Sequence, residues 1–150
     1  MNLVSALDRT GSGLEYLQKV AAGEYANVPI GDHMGFRLAE VSQGRIVFTG
    51  TPGANVLNLI GTVHGGYAAS ILDSALALSI LSSLDAESNF TTLEIKVNYV
   101  RPIAAGMDVR AEGNVIHSGR RVATAEARLT GPDGKLLAHG STTCLILPRN

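Results

Sequence analysis

Between His64 and Asp85 the chain carries one charged side chain, Asp73. The 18 residues from Tyr67 to Leu84, YAASILDSALALSILSSL, hold twelve apolar residues, five serines and that aspartate. Ala68, Ile71, Leu72, Ala75 and Leu78 recur at helical spacings, strict alternation is absent, and the run exceeds an ordinary strand. The segment therefore reads as a helix. Ile80 and Leu81 carry apolar surface onto further faces, so the helix has no solvated stripe and must be buried on most sides. It is short for a bilayer span of ~20 residues and too polar for hydrocarbon, which argues against a membrane role. The rest of the chain has to wrap it.

The flanking segments supply the wrapping. Ser12 and Glu15 have the spacing of a capping box, and Leu14, Leu17 and Val20 form a stripe that Gly23 can end, which predicts a helix over 12–22. Asn27–Gly35, with Pro29 and two glycines, reads as a loop. Phe36–Val41 and Arg45–Thr51 flank Gln43-Gly44 as a hairpin. After the long helix, Leu93, Ile95, Val97 and Tyr99 alternate with Thr92, Glu94, Lys96 and Asn98 over 91–100. Strands follow at 107–117, 121–130 and 136–147, with hairpin signals at Ser118-Gly119 and Gly131-Pro-Asp-Gly134. An α+β domain is expected, with an antiparallel β-sheet wrapped around a long central helix.

At 150 residues the chain is expected to form one domain, 1–150, in which about the first 30 residues are a helical extension. Its 12 basic and 13 acidic residues leave a net charge of −1, without the basic face of a nucleic-acid binder. A single cysteine excludes an internal disulfide framework. No signal-peptide pattern stands out at the N-terminus, so a cytoplasmic location is expected. Charged residues make up 17% of the chain, below the usual ~25%, which predicts that another subunit covers part of the surface.

Asp73 is the first candidate for chemistry, since a carboxylate inside such a helix must pair, stay protonated or do acid–base or nucleophilic work. Gly65-Gly66 stands where the helix begins, and a helix N-terminus offers unpaired N–H groups to an anion or oxyanion. The two lie eight residues apart, ~12 Å along a helix, too far to reach one atom within a subunit. Two antiparallel central helices related by a two-fold axis could bring Asp73 of one chain to Gly65 of another. His64 could be a general acid, a base or a loop-fixing hydrogen bonder. Asn58 has an amide able to orient a carbonyl or water, while Thr91 and Thr92 suit a strand by propensity. Arg101, Arg120 and Arg121 could hold phosphates or be solvated charges. His33, His64, His117 and His139 lack metal-ligand spacing, so no metal site is expected, and Cys144 reads as core.

Val63-His-Gly-Gly66, Asp73 seven residues later, and the stretch TTLEIKVNYVRP at 91–102 resemble the hotdog-fold acyl-CoA thioesterases. The most similar groups are the phenylacetate-degradation (PaaI-type) and 4-hydroxybenzoyl-CoA thioesterases. The resemblance covers about Gly35 to Leu147 and implies hydrolysis of an acyl-CoA, with coenzyme A as part of the substrate and no resident cofactor. It assigns the polarising N–H to Gly65 and the nucleophile or water-activating base to Asp73. Asn58 would position substrate and water, and Thr92, or Thr91 in another register, would be the strand hydroxyl near the acid. One branch carries a helix threonine where this chain has Ala77. The resemblance further implies a homodimer or homotetramer with sites shared across subunits, with Gly66 at the substrate and Arg101, Arg120 and Arg121 near the coenzyme A phosphates. A hotdog hydratase or dehydratase using His64, and a non-catalytic acyl-CoA-binding protein, are the alternatives.

Overall fold

The computed structural model describes residues 5–149; the first four residues of the expected N-terminal extension lie outside them. Six strands form one antiparallel sheet: β1 (Phe36–Ser42), β2 (Arg45–Gly50), β3 (Ser88–Tyr99), β4 (Val109–Ser118), β5 (Val122–Thr130) and β6 (Leu136–Pro148). Their order is β1-β2-β4-β5-β6-β3. Among the described residues three α-helices accompany the sheet: α1 (Gly13–Ala21), α2 (Pro29–Met34) and the long α3 (Gly65–Leu81). Among the described residues, no helix is long and apolar enough to cross a membrane.

The apolar run becomes α3, which packs across β2, β3, β4, β5 and β6. Ile71, Leu72, Ala75, Leu76 and Ile80 are fully buried beneath it. Its serines need no solvated face, because Ser79 and Ser82 donate back to the carbonyls of Leu76 and Ser79, each at 2.7 Å. The sheet makes room with small residues. Ala111, Ala123, Ala125 and Ala127 are buried in β4 and β5. At Gly113 an added Cβ would lie 2.3 Å from the Ala75 carbonyl oxygen, so the helix touches the strand backbone there.

The N-terminal helix has the expected cap. Ser12 accepts from the Glu15 N–H, and Glu15 accepts from the Ser12 N–H at 2.8 Å. Leu17 and Val20 are buried, and the Gly13 N–H donates to the Leu84 carbonyl at 3.0 Å, tying α1 to the end of α3. The segment expected as a loop over Asn27–Gly35 contains α2 instead. Pro29 opens it and Gly35, at φ 80°, closes it in the left-handed conformation. Six residues are too few to show a periodic stripe.

Strand β3 departs from simple alternation. A bulge between Thr92 and Glu94 places Thr92 opposite Cys144 and Glu94 opposite Thr143, leaving Leu93 as the extra residue. Leu93 is exposed, whereas Ile95 and Val97 pack against the core. Leu93 thus leaves the apolar face expected for it, and Thr92 turns toward the buried Cys144, with Oγ1 3.7 Å from Sγ. On the outer face of the sheet, Val47 lies between Glu40 and Glu112 and is fully buried. Those two carboxylates and Arg45 and Arg110 close a ring of four ion pairs at 3.0–3.1 Å over it.

Candidate active site

The start of α3 is held by its own cap. His64 Nδ1 accepts from the Gly66 N–H at 2.8 Å, which puts the imidazole proton on Nε2. The His64 and Val63 N–H groups donate to the carbonyls of Val56 and Ile103 at 2.8 and 2.9 Å. Among the described residues the Gly65 N–H is left without a partner, at the positive end of the helix dipole. It borders a cleft of about 300 Å³ lined by His64, Gly65, Ala68, Tyr99, Arg101 and Ile103.

Tyr99 was not singled out from the sequence. Its hydroxyl donates to the Gly65 carbonyl at 3.1 Å, and its ring lies against Gly65, where an added Cβ would meet ring carbons at 3.1–3.2 Å. A tyrosine ending an apolar-polar alternation is the only signal it offered. The contact spans 34 residues and is created by the sheet.

Asp73 lies two turns farther along α3, half-buried, and its Oδ1 is buried with no hydrogen-bond partner among the described residues. Burial holds its carboxyl above the ordinary aspartate value of 3.8. The Cys144 thiol is pushed up by its own burial, and the nearby Asp73 and Glu94 charges add to that shift. Thr92, Cys144 and Asp73 thus cluster at one end of the β3–β6 pair, whereas Gly65 and Tyr99 sit toward the other. About 12 Å of helix separates Gly65 from Asp73.

Asn58 is committed to its own loop. Its Oδ1 accepts from the Ile60 and Thr62 N–H groups at 3.1 Å each, and Nδ2 donates to Thr62 Oγ1 at 2.9 Å. That turn presents Leu59 and Ile60 to solvent, 107% and 85% exposed. Gly66 is the residue capped by His64. Arg101 lines the cleft and donates to the Leu136 carbonyl at 2.7 Å. Arg120 and Arg121 lie in the β4–β5 hairpin, next to the end of β6 paired with Val122. Seven residues of β6 part the rows of Leu145 and Ala138, roughly 23 Å at a strand's rise. The three arginines therefore do not converge within one chain.

A sheet curled over one long helix, with the helix terminus opening into a cleft, is the hotdog architecture. The family model of the thioesterase superfamily matches residues 60–138, and the chain belongs to that superfamily. Human acyl-coenzyme A thioesterase 13 is 29% identical over 87 residues, 57% of this chain and 61% of that protein. A curated relative from Halobacterium salinarum is 36% identical over 74 residues, and the chain spans only about half (48%) of its length. A phenylacetic acid degradation-related protein from Ralstonia eutropha has a solved structure with a TM-score of 0.77 and 28% identity, over 87% of this chain and 98% of that one. The PaaI protein of Escherichia coli shares the fold, with a TM-score of 0.79 and 22% identity over 91% of this chain and 96% of that one.

Proposed function

We propose that this protein is an acyl-CoA thioesterase, hydrolysing an aryl- or medium-chain acyl-CoA to the free acid and coenzyme A. The observation that carries the reading is the buried Asp73 Oδ1, without a hydrogen-bond partner among the described residues, in a helix whose terminus presents a Gly65 N–H likewise without one. The Gly65 N–H would polarise the thioester carbonyl and hold the charge that develops on its oxygen, an effect worth about 3–4 kcal/mol per donor. Asp73 would attack the carbonyl carbon, expelling the coenzyme A thiolate and leaving an anhydride for water to open. Alternatively it would take the proton of an attacking water. Either route consumes one water and releases a carboxylic acid and a thiol.

The two groups would meet across a homodimer. Among the described residues the outer edge of the twelve-residue β3 has no strand beside it, and Leu93 and Tyr99 on that strand are exposed, as is Val100 just past its end. Such an edge invites pairing with a second copy. An antiparallel pairing about a two-fold between Ile95 and Lys96 would set Thr92 of one chain opposite Tyr99 of the other, and with them Asp73 opposite Gly65. It would likewise bring Arg120 and Arg121 of one chain toward Arg101 of the other, as a common phosphate site requires. Asn58, with one Nδ2 proton unspent, would position substrate or water from the turn it organises. His64, whose Nδ1 holds the Gly66 N–H, fits a cap better than the base a hydratase needs. A Streptococcus mutans protein with this fold has been solved bound to acetyl CoA, which agrees with a coenzyme A ester as substrate.

The test follows thiol release from a panel of aryl and aliphatic acyl-CoAs, with wild type and Asp73→Asn side by side. Wild-type turnover that falls by about 10²–10⁴-fold in the variant is expected. The acid limb of kcat/KM should lie above the ordinary aspartate range, because Asp73 must ionise and burial opposes that. Coenzyme A esters that bind without thiol release would overturn the hydrolase and leave the binding protein. Water addition to an enoyl-CoA would point to the hydratase.

A further inference from the structure

We infer that Tyr99 is a positioning residue for the oxyanion donor, acting with His64 as a clamp on the Gly65–Gly66 peptide; the inference rests on the thioesterase reading. The two side chains grip opposite ends of one peptide plane. The Gly65 carbonyl accepts from the Tyr99 hydroxyl at 3.1 Å, and the Gly66 N–H of the same plane donates to His64 Nδ1 at 2.8 Å. The neighbouring plane carries the free Gly65 N–H, and its His64 carbonyl accepts from the Tyr67 N–H at 2.9 Å, so fixing the first plane limits the rotation still left to the second. Two successive glycines make this the most flexible point at which a helix could start. An oxyanion donor contributes only when it is already aimed before the charge develops.

The same geometry accounts for both glycines. Neither has a positive φ, so backbone conformation does not require them. What favours them is space, since a Cβ at either position would press on a neighbouring side chain. A Cβ at Gly65 would lie 3.1 Å from the Tyr99 ring, and one at Gly66 would lie 3.0 Å from His64 Nδ1. Each glycine lets one jaw of the clamp close. Tyr99 can take this part because it stands on β3, while the residue it holds begins α3. The sheet thereby sets the register of the helix terminus.

The experiment uses Tyr99→Phe in the full chain, which keeps the ring and removes the hydroxyl. Two readouts are taken: amide hydrogen exchange at Gly65 and Gly66 by NMR, and kcat and KM for the best acyl-CoA of the panel. Exchange at Gly66 should quicken by at least about threefold, and kcat should fall by about three- to tenfold with KM within twofold, since one hydrogen bond is lost. The melting temperature should stay near that of wild type. Unchanged exchange overturns the clamp, as does unchanged kcat in a hydrolysing wild type. A rise in KM with kcat intact would make Tyr99 a substrate-binding residue and also overturn it. If wild type releases no thiol while exchange in the variant quickens, the hydrolase reading fails and the clamp stands on exchange alone.

Discussion

In the proposed mechanism Asp73 would set catalysis against stability within one side chain. Its folded-state carboxyl titrates above its unfolded value because burial disfavours the anion. Below pH 3.8 the group is protonated in both states and costs nothing. As pH rises from there through the folded-state value, the folded protein binds more protons than the unfolded one and loses stability. The penalty is complete once pH has passed the folded-state value. Asp73→Asn, the variant expected to lose turnover, should therefore melt higher than wild type at pH 7, with the gain shrinking as pH falls toward and below 3.8. Scanning calorimetry at the two pH values checks this, and equal melting temperatures at pH 7 would mean the carboxylate is stabilised by a partner. Other residues were not open to sequence reading in the same way. Tyr67, which could have lined a pocket, is a core residue 1% exposed, stacked edge-on against Phe36 and with its hydroxyl pushed up to about 12 by burial. Nothing in its spacing separates those two fates.

At the scale of elements, α3 lies so close to β4 that one strand residue has to be glycine. The atom facing Gly113 is a backbone oxygen, which cannot swing aside as a side chain would. Gly113→Ala is expected to cost about 1–3 kcal/mol of folding free energy, read as a lower urea midpoint with unchanged m-value. A neutral substitution would show that α3 is free to lift off the sheet. The long helix, the α1 capping box and most strands were legible because each repeats a local pattern over many residues. Helix α2 was not, since six residues between a proline and a glycine look the same as a loop. The β3 bulge was also invisible: one inserted residue reverses which side chains face the core, and only pairing with β6 reveals it.

For the whole molecule, the β3 edge and the separation of Gly65 from Asp73 make the same demand. If the site is shared, association and turnover should be lost together. Sedimentation is expected to give at least twice the 15.7 kDa chain mass. Leu93→Lys on that strand with Val100→Lys just past its end, both exposed positions, should weaken self-association by about tenfold or more and reduce thiol release in parallel. A monomeric double variant with full turnover would show that one chain holds a whole site. The low charge content pointed toward such a covered surface, but it could not say where. Exposed apolar residues lie on β3 and on the Leu59–Ile60 turn, and the double variant tests the first of these places.

The sequence by itself determined that one helix had to be enclosed, that a sheet of alternating strands would enclose it, and that Asp73 and the glycine pair were its chemically unusual points. These follow from periodicity and from the cost of burying charge, both readable within a few turns of chain. The tertiary structure alone decided that Asp73 Oδ1 has no hydrogen-bond partner among the described residues, that Thr92 turns toward Cys144, and that the arginines stand at opposite ends of β6. It alone brought Tyr99 onto Gly65. Those outcomes depend on contacts between residues tens of positions apart, where a one-residue bulge or the angle of a helix across a sheet changes what meets what.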